Sequence, residues 1–397
     1  MHCCRKWILM LLTMLFAFCA AGALAQEAAD ITAACEMKPA SQKTDFKNIR
    51  DGKYKTYWTS SGGKGAMITV TVPEGEEASA VWFQWYEHEH AIAVQVRDAS
   101  GEWVEVNSTE GAFLSECLLL PAGTTEFRIV NPAKAKKSTP IPLAELHVYG
   151  KGDLPSNVQI WNPPAEKADL MLVGGHPDDE LLWFGGIMPL YAGVQRKVVQ
   201  TCLMVPTMPY RRLEYLDGLW TCGVRNYPVF GHFRDSFTLS LSDQYERWDK
   251  TAVYKIVTGW IRRFKPDVVI THDIRGEYGH GCHRACADAV IQSLEFATDK
   301  KKFKESYQEY GPWDVPKCYL HLYEEGRIDF DWQVPLDAFG GKTAFEVATE
   351  AFYCHVSQRT SEYKVEESGP CDCSLFGLYR SLVGPDKEHN DLFENLN

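Results

Sequence analysis

Beyond residue 25 the sequence has no apolar run long enough to span a bilayer. It has no Gly-x-Gly-x-x-Gly turn after a strand, so a dinucleotide site is not indicated. It has no Cys-x-x-Cys pair, and Cys371 and Cys373 stand too close together for a zinc ribbon. Basic residues are the minority, 41 against 53 acidic, without an obvious basic stripe, which makes nucleic acid a poor candidate partner. What is present is ordinary globular composition, 45% apolar and 24% charged. The 397 residues have room for roughly two or three domains.

Arg5 and Lys6 precede an uncharged stretch from Trp7 to Ala21, and Ala23-Leu24-Ala25 has the small-residue spacing of a cleavage site. Residues 1–25 therefore read as a secretory signal peptide, which predicts a secreted or periplasmic protein. An uncleaved anchor is the alternative. Cys3, Cys4 and Cys19 would leave with that segment, and the ten remaining cysteines are expected to be structural thiols or disulfides.

From 26 to 150 short apolar–polar alternations follow one another between turns: Ile68, Val70, Val72; Val81, Phe83, Trp85; Ile92, Val94, Val96. Period two with Gly and Pro between the runs predicts an antiparallel β-sandwich. Asp51-Gly52-Lys53-Tyr54-Lys55-Thr56-Tyr57-Trp58 and Ala144-Glu145-Leu146-His147-Val148-Tyr149-Gly150 resemble discoidin (F5/8 type C) domains. That resemblance implies a jelly roll of the galactose-binding-like fold that binds carbohydrate, and a structural Ca²⁺ near Asp51. Read without it, Asp51-Gly52 is a turn. His88-Glu89-His90 is expected to be solvated, and Cys35 with Cys117 is a candidate disulfide.

Residues 151–164, with Gly152, Pro155, Pro163 and Pro164, read as a linker. From 165 to 397 the period changes. Buried strands are expected at Ala168–Val173, Lys197–Val205, Asp267–Thr271 and Cys318–Tyr323. Helices are expected at 181–192, 210–222, 248–264, 283–296 and 342–356. Alternating strand and helix predicts an α/β, doubly wound, mostly parallel sheet.

Two polar stretches follow strands of that sheet. The first is Gly174-Gly175-His176-Pro177-Asp178-Asp179-Glu180, and the second runs from His272 through Glu277-Tyr278-Gly279-His280 to His283. Ligands bind at the carboxyl ends of parallel strands, so both belong on one edge. Two His and an Asp around an open position suit a catalytic Zn²⁺. A carboxylate that does not bind the metal would then accept the proton of the attacking water.

The motifs His-Pro-Asp-Asp-Glu and Gly-Glu-Tyr-Gly-His-x-x-His resemble the PIG-L/LmbE-like family of zinc-dependent N-acetylglucosaminyl deacetylases, with a Rossmann-like fold. Arg211-Arg212-Leu213-Glu214, Phe233-Arg234-Asp235-Ser236 and His355-Val356-Ser357-Gln358 add to the likeness. It implies His176, Asp179 and His283 as zinc ligands and Asp178 as general base. It further implies His280 as oxyanion stabiliser or acid, Tyr278 as an oxyanion donor, and Arg211 and Asp235 as sugar contacts. Glu180 is expected to be a helix cap or to support the ligands. Cys282 departs from the family pattern beside the metal, leaving open whether Asp273 or Glu277 supports the acid histidine. The expected activity is N-deacetylation of an extracytoplasmic glycan. The alternatives are an inactive glycan-binding protein and a zinc amidase or esterase for another acylated metabolite.

Overall fold

The computed structural model describes residues 26–61, 67–132, 140–206, 208–360 and 362–396. The expected signal peptide lies outside them. Numbered in chain order, the first nine strands form two antiparallel sheets. One has the order β1 (Glu36–Pro39), β3 (Met67–Thr71), β8 (Glu126–Val130), β5 (Ala93–Arg97), β6 (Trp103–Ser108). The other has the order β2 (Trp58–Thr59), β9 (Pro142–Tyr149), β4 (Ala78–Trp85), β7 (Ser115–Thr124). The period-two pattern sends Ile68, Val70, Val81, Phe83, Trp85, Val94, Phe127 and Leu146 into one fully buried core. The opposite set on β4 and β9, where Trp82 pairs with His147 and Gln84 with Glu145, turns away from that core toward the rest of the chain.

Three expectations for this region change. Cys35 packs in the core between the sheets while Cys117 packs on the outer face, so the two thiols are on different sides and unpaired. All ten cysteines among the described residues are free. The Asp51 carboxylate accepts hydrogen bonds from Lys53 N and from the Thr56 hydroxyl, which is a turn, and nothing there supports Ca²⁺. His90 is not simply solvated, since its Nε2 lies 2.9 Å from Asn131 Oδ1.

Residues 151–164 form a packed joint rather than a free tether. Val158, Gln159 and Trp161 are buried, and Trp161 meets Trp220 and Tyr227 edge-on. Tyr54 donates to Asp217 Oδ2 at 2.7 Å, and Leu114 N donates to Tyr227 Oη at 2.9 Å. The two halves of the chain therefore share a polar as well as an apolar boundary.

The second half is built on a seven-stranded sheet. Its order is β12 (Val229–Phe230), β11 (Val199–Leu203), β10 (Leu170–Gly174), β13 (Val268–Thr271), β14 (Lys317–His321), β18 (Leu375–Ser381), β15 (Arg327–Asp329). The first five are parallel, while β18 runs antiparallel to β14 and β15. A short hairpin of β16 (Pro335–Leu336) and β17 (Lys342–Thr343) lies apart. On β10, Leu170 and Leu172 face the core shared with α1 (Asp179–Leu182), α2 (Pro209–Thr221) and α7 (Ala344–Phe352). Met171 and Val173 face α4 (Lys250–Phe264) and α5 (Gly281–Phe296). Helices cover both faces, so the sheet is doubly wound. The chain leaves β10 toward β11 on one side and later returns to β13 on the other, opening a crevice at their carboxyl ends.

The helix expected over 181–192 is shorter than its apolar pattern suggested. α1 ends at Leu182, and a wide helical turn, Pro189–Val194, follows after a break. Gly185 adopts φ 38°, and a Cβ there would lie 2.5 Å from Cys373 Sγ. Pro189 lacks the N–H that a continuous helix needs. The pattern also failed to separate α3 (Leu241–Arg247), α6 (Lys304–Tyr310) and β18, which are short or flanked by polar residues.

Arg262 is fully buried where α4 meets the end of α5. Its guanidinium donates to the carbonyls of Phe296, Ala297, Asp299, Lys302 and Phe303 and to Ser306 Oγ. A cation on the carbonyl end of α5 also complements the helix dipole. Arg262→Met should therefore cost about 3 kcal/mol or more, because it strands several buried acceptors. Urea denaturation measures this, and an unshifted midpoint would refute it.

Candidate active site

The two motifs read from the sequence meet at the crevice between β10 and β13. Gly174 ends β10, and Asp179 opens α1. The Asp179 carboxylate folds back on the turn: Oδ2 accepts from Gly175 N at 2.9 Å and His176 N at 2.7 Å, and Oδ1 accepts from Trp183 Nε1 at 2.9 Å. Its oxygens lie 3.5 Å from His176 Nδ1 and 3.4 Å from His283 Nε2. Burial opposes ionisation of Asp179, but the imidazoles of His283 and His272 hold it well below the usual carboxylate range.

His176, Asp179 and His283 offer ligand atoms that all lie within 4.8 Å of one another, and all three side chains are buried. His283 Nε2 has no hydrogen-bond partner although the residue is fully buried. An orphaned imidazole nitrogen facing a carboxylate and a second imidazole is the donor set that Zn²⁺ prefers. The residues present therefore fit the metal. Cys282 with His176 and His280 makes a second, overlapping group. Its thiol is pushed up by burial and then by the hydrogen bond it donates to Cys286, so it is a poorer ligand than a carboxylate there.

Behind His283 stands Glu277, 1% exposed. Its Oε2 lies 2.8 Å from His272 Nδ1, and also 2.8 Å from His283 Nδ1, though out of line for a full hydrogen bond. Its Oε1 takes His321 Nδ1 at 2.6 Å. Glu277 therefore stands behind His283, and among the described residues no carboxylate is paired with His280, whose Nδ1 takes Cys282 N. His272 uses its other nitrogen to accept from Gly175 N, tying the end of β13 to the turn after β10. His321 was not singled out from the sequence. The available signal was its place at the end of β14, matching His272 directly after the neighbouring β13.

Asp178 sits beside Asp179 with φ 130°, a region rare for a non-glycine residue. Its N–H donates to Glu180 Oε2 at 2.8 Å. The other Glu180 oxygen meets His355 Nε2 at 2.6 Å, which places Glu180 and the His-x-Ser-Gln segment behind Asp178. Burial raises the Asp178 carboxyl, with Arg211 opposing that rise and Asp179 adding to it. Arg211 Nη2 lies 3.0 Å from Asp178 Oδ2 and also donates to Pro177 O. Expected as a sugar contact, Arg211 lines the cavity and also pairs with this carboxylate. Glu214, one turn further along α2, accepts from Ser357 N and its hydroxyl.

His280 caps α5, its Nδ1 accepting from Cys282 N at 3.1 Å. The ring proton therefore belongs on Nε2. Burial, then the neighbouring His283 and His176, push its pKa down to about 3. A neutral ring that donates from Nε2 suits hydrogen bonding to an oxyanion better than supplying a proton. The Tyr278 ring lies 5.6 Å from that of His280, on a left-handed backbone, φ 45°, and is half exposed. Asp235 Oδ1 is 3.3 Å from His176 Nε2 at the open side. Together with Trp183, Phe237, Gln358 and Tyr363 these groups line a cavity of about 210 Å³. Phe237 is 69% exposed at its rim, edge-on to His280, and no sequence pattern marked it.

Comparison with known proteins agrees in location. Residues 171–294 match the family model described as PIG-L, GlcNAc-PI de-N-acetylase. The 1D-myo-inositol 2-acetamido-2-deoxy-alpha-D-glucopyranoside deacetylase 1 of Frankia alni is 26% identical over 183 residues, 39% of this chain and 62% of that protein. Deacetylase 2 of the same description from Saccharopolyspora erythraea is 30% identical over 176 residues, 38% of this chain and 63% of that protein. The chain thus spans just under two thirds of the length of these relatives. Among solved structures, the N,N'-diacetylchitobiose deacetylase of Pyrococcus horikoshii aligns at 19% identity and TM-score 0.38, over 49% of this chain and 72% of that one. The stretch that matches the PIG-L family model, residues 171–294, holds both halves of the crevice.

Proposed function

We propose that this protein is a zinc-dependent hydrolase that removes the N-acetyl group from an N-acetylhexosamine residue of a glycan or glycoconjugate. The observation that carries the reading is the convergence of His176, Asp179 and His283, with an orphaned His283 nitrogen, beside a separate buried carboxylate, Asp178. The names of the relatives point the same way, since each describes a deacetylase of an acetamido sugar.

Zn²⁺ held by His176, Asp179 and His283 would supply Lewis acidity toward the acetyl carbonyl and the attacking water. Asp178 accepts the proton of that water, and its raised carboxyl makes it a better base than a solvated aspartate. The same carboxyl then returns the proton to the departing nitrogen, so the C–N bond breaks to acetate and a free amine. Arg211 keeps Asp178 in place through both transfers. His280 donates from Nε2 to the carbonyl oxygen as negative charge develops there, with the Tyr278 hydroxyl as a second donor. Asp235, half exposed at the mouth, presents acceptors to sugar hydroxyls.

The discoidin-like reading of the first half and the export implied by residues 1–25 put this chemistry on an extracytoplasmic glycan. Because the two halves are packed through Tyr54–Asp217 and Trp161, the sandwich would present glycan in a set orientation instead of on a loose tether. The test is a mass-spectrometric screen for acetyl loss across N-acetylhexosamine glycans, inositol-linked N-acetylglucosamine and other acylated metabolites. Zn²⁺-loaded protein should release acetate from an acetamido sugar, and chelation should abolish the release until Zn²⁺ is restored. Failure to release acetate from every acetamido sugar would sink the reading.

A further inference from the structure

A second cavity lies outside the active site, at the boundary between the sandwich and the α/β half, with a volume of about 310 Å³. Its wall on the sandwich side is the outer face of β4 and β9, which supplies Gln84, Glu145 and His147. Across from them stand Gln159 of the joint and Asp217 of α2, with Tyr54 reaching between. Two of these residues are carboxylic acids, and among the described residues no lysine or arginine lines the space.

Glu145 is 2% exposed; its Oε1 accepts from Lys53 N at 2.8 Å, while its Oε2 has no partner. Asp217 is held in a fixed orientation: Oδ2 accepts from Tyr54 Oη at 2.7 Å and Oδ1 from Gln159 Nε2 at 2.5 Å. Gln84 Nε2 donates in turn to Tyr54 Oη at 3.0 Å. His147, the only basic side chain among the described residues that line the space, is already 2.9 Å from Asp30 Oδ2. Burial pushes both carboxyls up, Glu145 to about 7 against the opposing pull of His147 and Asp217 to about 6 against its hydrogen bonds from Tyr54 and Gln159. An acid buried with an open oxygen is a costly arrangement in a folded protein unless something pairs with it.

No group of three potential metal ligands occurs here among the described residues, so an organic cation fits better than a metal ion. We propose that this cavity binds an amino sugar, its ammonium placed between Glu145 and Asp217 and its hydroxyls on Tyr54, Gln84 and Gln159. The volume suits one sugar residue, and the amides and phenol supply both donors and acceptors. The choice of an amino sugar over other amines rests on the deacetylase reading, because a free 2-amino sugar is what that reaction leaves behind. α2 links the two sites physically, carrying Arg211 in the active site and Asp217 and Thr221 in this cavity. The site would retain a deacetylated residue while a neighbouring one reacts.

Calorimetric titration of the full chain, Zn²⁺-loaded and carrying Asp178→Asn, with glucosamine and with N-acetylglucosamine tests this. Glucosamine should bind, and adding Glu145→Gln or Asp217→Asn should weaken it about tenfold or more, the loss expected for a charged hydrogen bond. N-acetylglucosamine affinity should be the same with and without those changes. Glucosamine that fails to bind, or binds equally well to the Glu145→Gln and Asp217→Asn proteins, overturns the site. Using both substitutions guards against one of them failing to fold. The outcome is separable from the acetate-release screen: binding without turnover in the unsubstituted protein sinks the deacetylase reading alone, and turnover without binding sinks this site alone.

Discussion

Asp178→Asn is expected to lower kcat by about 10²–10⁴-fold, the usual contribution of a positioned general base. The substitution keeps the shape of the side chain and removes only its ability to take a proton. Asparagine tolerates positive φ about as well as aspartate, so the backbone at φ 130° need not move. The bond from its N–H to Glu180 Oε2 is a backbone donation and survives. The Arg211 guanidinium loses a charged partner but retains Pro177 O. Metal content per chain should stay unchanged, because His176, Asp179 and His283 are untouched, and KM should move little if Asp178 acts on the water and not on the sugar. Steady-state kinetics with metal analysis decides it. Undiminished turnover would remove Asp178 from the reaction, and a parallel loss of zinc would make it a ligand.

Glu277→Gln is the second large effect. One carboxylate, 1% exposed, serves His272, His283 and His321 together and also accepts from Asp273 N at 3.2 Å. A glutamine offers a single acceptor oxygen and turns an NH₂ group toward at least one imidazole. Groups that orient a metal-binding histidine are typically worth about 10–100-fold in affinity, so Zn²⁺ should dissociate more readily by that factor. Breaking a buried charged network also costs stability, on the order of 3–5 kcal/mol. Competition with a chromophoric chelator and thermal denaturation of the metal-free protein read the two effects separately. Wild-type zinc affinity in Glu277→Gln would show that His283 needs no support. A Glu277→Asp variant with partial recovery of affinity would point to the carboxylate rather than to packing.

How much of this was legible beforehand follows from the range of each interaction. The alternation of Ile68, Val70 and Val72 or of Val81, Phe83 and Trp85 is local, and period two by itself places one face inward. The same holds for the apolar run of β10 and for α4, whose ends are marked by Asp249 accepting from Ala252 N and by Lys265 before Pro266. Glycine and proline were harder to weigh: Gly185 lies just past the end of the helix at φ 38°, and Cys373, far along the chain, occupies the space where its Cβ would be.

By itself, then, the sequence determined the two architectures, the order of strand and helix, and the residue types gathered behind β10 and β13. Those depend on periodicity and on the rule that parallel strands expose their carboxyl ends together. Only the tertiary structure decided which atoms meet. It turned Arg211 onto Asp178, put Glu277 behind His283 and His321, and set Glu180 against His355. It also separated Cys35 from Cys117 and closed a polar cavity around Glu145 and Asp217. Each of these joins side chains from distant segments, and a contact of that kind is specified by the packing of whole elements rather than by any pattern within one of them.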